Sequence, residues 1–223
     1  IKRGPNAKLL KAEKTKALAS FIRGIQRIGG FGGKSDLLAT CQTYTGNPGC
    51  YRKAAEYLDA ASSSNMKATF SEWIDDSAYV LTILPSDQYG VNDAAVDRTT
   101  GVPYPTEKVS FKFPTLQTAI LSNGAKVVLA QREDVPLVEM NFLFSFGYAQ
   151  ENNDELGYTN FMMGMLNEGT KKYSSLEFDE VLDSLGSNLG FGSGLDSSVV
   201  SVSSLKANLS DTLDLAKEAL VNP

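Results

Sequence analysis

Three sets of residues in this 223-residue chain have the types and spacing to do chemistry. Ser203 and Lys206 form S-x-x-K, which can pair a hydroxyl nucleophile with an amine base. The companion S-D-N and K-T-G elements of that enzyme class are missing, so the match is taken as accidental. GGFGGKS at 29–35 has the tail of a phosphate-binding loop, but such a loop needs glycine at position 28, where Ile28 stands, and a strand before it. A helix-terminating loop accounts for these residues better. The third set is acidic: Asp75 with Asp76, Glu151 with Asp154 and Glu155, and Asp179 with Glu180. Carboxylates so grouped can bind metal or move protons, but neighbouring acids in a chain of net charge −5 are expected on solvated faces.

Histidine is absent, which excludes Ser-His-Asp and Cys-His catalysis, His-rich zinc sites and histidine pH switches within this chain. The two cysteines, Cys41 and Cys50, are too few for a four-thiolate zinc site. They flank a Gly-Asn-Pro-Gly turn that can bring them together. A disulfide, if the protein is exported, and two buried thiols are both open readings. The negative charge argues against a nucleic-acid partner. No run of 18 apolar residues suggests a membrane span, and IKRGPNAKLLKAEK lacks a signal-peptide pattern. Starting at Ile1 without methionine and stopping at Pro223, the chain reads as an excised piece, so its compartment is nearly unreadable.

The elements around these residues fall into two blocks. In the first, Leu18, Phe21, Ile22, Ile25 and Ile28 recur at helical spacing, with Lys11, Lys14, Lys16 and Arg23 largely opposite, and Gly29-Gly30 ends the helix. A second helix starts near Lys34, YRKAAEYLDAA makes a third, and SAYVLTILP is expected to form a strand stopped by Pro85. Pattern is then lost until about 113, as in an interdomain linker. In the second block, TAILSNGAKVVLAQ predicts a hairpin with a type I′ turn at Asn123-Gly124. PLVEMNFLFSFGY is apolar on both faces and predicts an interior strand. Then come a Met-rich helix within 157–170, a helix over SSLEFDEVLDSLGS capped by Ser174 or Ser175, strands NLGFGSG and SSVVSVSSL, and a helix over about 209–220.

This order, from LSNGAKVVLAQREDVPLV through FSFGYAQENND and LGYTNFMMGMLNEGT to SLEFDEVLDSLGSNLGFGSGLDSSVVSVSSL, resembles the opening of an insulinase/pitrilysin-type zinc metallopeptidase unit. GPNAKLLKAEK through IGGFGGKSDLLA and YTGNPG resembles the closing part of another. The resemblance implies an α+β fold, an antiparallel-rich sheet packed by helices, with parts of two half-units joined by a linker. The divisions are 1–86, the end of the first unit; 87–112, the linker; and 113–223, the front of a second, non-catalytic unit. Because each half is truncated, weak contact between them is expected.

In catalytic units of that family a helix carries H-x-x-E-H, two histidines for zinc and a glutamate for its water. Aligned on Gly157 and Gly169-Thr170, those positions are Asn160, Met163 and Gly164, which cannot replace them. The resemblance thus implies a metal-free segment whose Met162, Met163 and Met165 fill core space. Catalytic residues are expected to be none here, with zinc and the chemistry in a missing catalytic unit of the parent, which hydrolyses peptide or protein substrates. The resemblance implies that this segment helps to form the substrate chamber. The alternative is a non-catalytic scaffold or partner subunit of the same superfamily. Bacterial two-unit members are often exported, which suggests the periplasm.

Overall fold

The computed structural model of the protein describes residues 4–74, 79–85, 101, 106, 110 and 112–223. Four helices open the chain: α1 (Ala7–Gly24), α2 (Lys34–Thr45), α3 (Tyr51–Ala60) and α4 (Ser63–Trp73). Asn6 starts α1 by accepting the Lys8 amide at 2.8 Å. The helix stops at Gly24, before Gly29-Gly30, with Ile25 as its C-cap. Cys41, buried on α2, is bonded to Cys50 at the N-cap of α3, their Cα atoms 5.4 Å apart. Residues 79–85, expected as a strand, form none: they find no ladder among the described residues, and Tyr79, Ile83 and Leu84 are exposed.

The antiparallel hairpin of β1 (Leu116–Ile120) and β2 (Lys126–Ala130) forms as the pattern predicts, but its turn differs. Type I′ requires positive φ at both central residues, and no described non-glycine residue has one. Instead the Gly124 amide donates to the Leu121 carbonyl at 2.9 Å, closing a type I turn over 121–124. Gly124 follows at φ 84° and lets the Leu121 amide reach the Ala125 carbonyl.

A three-stranded antiparallel sheet follows, in the order β3 (Leu137–Phe144), β5 (Ser198–Leu205), β4 (Asn188–Ser193). β5 is central, and its Ser198, Val200, Val202 and Ser204 are buried at every second position, the strand period. β3, expected in the interior, stands at the edge, because among the described residues only β5 pairs with it. The sheet is packed by α5 (Tyr158–Met165), α6 (Ser175–Leu185) and α7 (Leu209–Val221). Ser174, not Ser175, caps α6: its hydroxyl accepts the Glu177 amide while Glu177 takes the Ser174 amide, a reciprocal capping box. Phe178 of α6 is completely buried with Leu215 and Ala219 of α7, and Leu189 and Phe191 of β4 pack on them. Beneath that cluster the hydroxyls of Ser187, Ser204 and Thr212 bond one another at 2.7 to 3.1 Å, so three buried polar groups are satisfied without water. The fold is α+β, helices on antiparallel strands.

Internal contacts divide the chain into two compact units, Ile1–Trp73 with Glu133–Pro223, and Ile74–Arg132. The first unit joins residues of both sequence blocks. Weak contact between the blocks is therefore corrected: α1 lies on α6 with so little clearance that a Cβ at Gly186 would sit 2.9 Å from that of Ala19. The face of α1 used is Thr15, Ala19 and Arg23, spaced four apart, where small residues permit close approach. Leu18 stays 45% exposed, and Phe21 turns to stack on Tyr51 of α3.

Candidate functional site

The residues at the metal-motif positions lie on α5, whose start is built by a remote carboxylate. Gly157 precedes the helix in the left-handed region, and Glu151 takes the amides of Gly157 and Thr159, each at 2.7 Å. Both donors belong to the first turn, which lacks partners within the helix. The Thr159 side chain, followed by the two amides, holds the Glu151 carboxyl below its ordinary range. Glu151 is thus a capping group.

One turn later the motif positions diverge. Asn160 and Gly164 are four apart on the exposed side, and a Cβ at Gly164 would meet nothing within 4 Å. Met163 is 3% exposed and packs with Leu166, Val200 and Phe191. The expectation that all three methionines fill the core needs correction. A helix of eight residues offers the sheet one narrow face, here Met163, and Met162 and Met165 are 45% and 48% exposed on its flanks. An outward amide, a buried thioether and a glycine do not fit zinc, because none supplies an imidazole or carboxylate at a common point.

The other chemical candidates are absorbed by local structure. Among the described residues no group of three or more His, Cys, Asp or Glu side chains is gathered as a metal site would need. Glu155 accepts from Asn152 at 2.9 Å, and Glu180 forms an exposed pair with Lys8 at 3.5 Å. Asp75 and Asp76 lie outside the described residues. In the glycine loop the amides of Gly33, Lys34 and Ser35 donate to the carbonyls of Gly30, Arg27 and Ile28, and that of Gly32 to Asp36. Those donors are spent, and cannot cradle a phosphate. The Ser203 hydroxyl donates to Glu139 at 2.8 Å and accepts from Arg23, with no bond to Lys206.

Spacing alone places Arg23 on the charged face of α1, and the structure instead sets it half-buried against β5. Its Nε donates to the Ser203 hydroxyl at 2.8 Å, and its Nη2 to the carbonyls of Gly186 at 2.6 Å and Ser203 at 3.1 Å. Burial lowers its pKa, and the nearby Glu139 opposes that shift. No sequence signal singles it out, since all three acceptors lie over 160 residues away.

Comparison with known proteins bears on the same elements. The family model of insulinase (peptidase family M16) matches residues 126–223, from β2 to the end of the chain. No curated protein matches. Among solved structures, the chain is similar to a peptidase M16 inactive domain from Pseudomonas fluorescens, with 28% identity and a TM-score of 0.46, over 48% of this chain and 26% of that one. It is also similar to a protease from Helicobacter pylori, with 24% identity and a TM-score of 0.43, over 49% of this chain and 26% of that one. The matched stretch thus spans about a quarter of the length of either protein. Residues 126–223, a little under half of the chain, are thus similar to the insulinase family, peptidase family M16.

Proposed function

We propose that this chain is a non-catalytic part of an insulinase-family zinc metallopeptidase, in which 113–223 opens a degenerate unit, 1–86 closes a preceding one, and 87–112 links them. The observation that carries the reading is the placement of Met163: a residue at the position of the catalytic glutamate is committed to the hydrophobic core with Leu166 and Val200. In this proposal zinc and its activated water belong to a catalytic unit elsewhere in the parent, which cleaves peptides or proteins, while this part helps to enclose them. The Cys41–Cys50 bond fits an oxidising compartment, as in an exported protein.

The test is metal stoichiometry with a coupled activity measurement. After incubation with zinc and exhaustive dialysis the isolated chain should retain far less than one equivalent and cleave no peptide. About one tightly held zinc per chain would overturn the assignment of α5 as a degenerate helix.

A further inference from the structure

Between α1 and the corner joining α6 to β4 lies a cleft of about 350 Å3, whose walls include Lys16, Arg23, Arg27, Asp183, Ser187 and Asn188. Three of these side chains are cationic and one is anionic, although the whole chain carries a net charge of −5. Lys16 Nζ sits 2.8 Å from Asp183 Oδ2, which neutralises one cation and the one carboxylate among these walls at once. Arg23 is held on one edge by neutral acceptors alone, and the Glu139 carboxylate reaches it through the Ser203 hydroxyl. Its Nη1 donors have no partner among the described residues, and the Arg27 side chain has neither a hydrogen bond nor an ion pair among them. One guanidinium is therefore fixed by carbonyls with its far edge free, and a second, unpaired, lines the same cleft. That combination matches the planar, multidentate way arginines hold oxyanions.

We infer that this cleft binds an oxyanion, a carboxylate or a phosphate, between Arg23 Nη1 and Arg27. The inference does not depend on the peptidase reading, because it concerns a different surface from α5. Asp183 competes with the anion for Lys16 and repels it, so the charge of Asp183 limits affinity.

The experiment titrates the 223-residue chain calorimetrically, at low ionic strength, with inorganic phosphate in one arm and a tetraglutamate peptide in the other. Saturable binding of at least one is expected, and the tighter arm identifies the carrier. Arg27 is exposed, so Arg27→Ala leaves the fold intact and should weaken binding about tenfold, the loss of a charge-assisted contact. Asp183→Asn should tighten it roughly two- to fivefold. Lys53→Ala, on exposed α3, changes net charge by the same amount as Arg27→Ala and should leave affinity unchanged. Absence of saturable binding in both arms, equal effects of Arg27→Ala and Lys53→Ala, or unchanged or weaker binding with Asp183→Asn would each overturn the inference.

Discussion

Glu151 lies outside α5 and yet provides two of the bonds that start it. Because its carboxyl is held below the unfolded value, it contributes stability that is present above the unfolded carboxylate pKa, ~4.3, and is lost as pH falls through the lower folded value. Glu151→Gln should therefore destabilise the protein at neutral pH and flatten the acid side of its stability profile, as urea midpoints measured across pH would show. An unchanged profile would mean that the cap contributes nothing. Residue chemistry of this kind was only partly legible in sequence. Ser174 and Glu177 announce their capping box by local spacing, and Asn160, Met163 and Gly164 can be located by flanking glycines. Arg23 and Glu151 act on groups that become neighbours only after folding, Arg23 across more than 160 positions.

At the scale of elements, α5 turns one narrow face, Met163, to the sheet and leaves most of its other positions to solvent. Gly164 is a helix-interior glycine with open space around it, so Gly164→Ala should stabilise the protein by up to ~1 kcal/mol. Met163→Glu should cost several kcal/mol, on the order of an unpaired buried carboxylate, or force that group to stay protonated. Chemical denaturation of the two variants would measure both effects, and the opposite ranking would remove Met163 from the core. Periodicity made α6, α7 and β5 readable, since each turns one regular face to the core, whereas α2 and α3 were legible from the glycine and proline signals around them. It failed at α4, whose SSNMKATFSEW has no apolar stripe, and at 79–85, where β-forming residues lack a neighbouring strand among the described residues. On α1 the large apolar residues suggested one packing face, whereas close approach at Gly186 selects the smaller Thr15 and Ala19.

For the whole molecule, the decisive fact is that Ile1–Trp73 and Glu133–Pro223 make one compact unit although 59 residues, Ile74–Arg132, separate them in sequence. Chymotrypsin should cut early at Tyr79 or Leu81, which are exposed and outside regular structure. The nicked protein should nevertheless elute as one species on gel filtration, because α1 remains packed on α6 and Arg23 remains bonded to Gly186 and Ser203. Separation of the pieces under native conditions would mean that this contact is too weak to hold them. The same discontinuity shapes the protein's birth. Arg23 leaves the ribosome 163 residues ahead of Gly186. At cellular elongation rates that is an interval of roughly 8–30 s in which α1 has no α6 to cover it. Until α6 is made, the α1 face of Thr15, Ala19 and Arg23 lacks the surface it packs on.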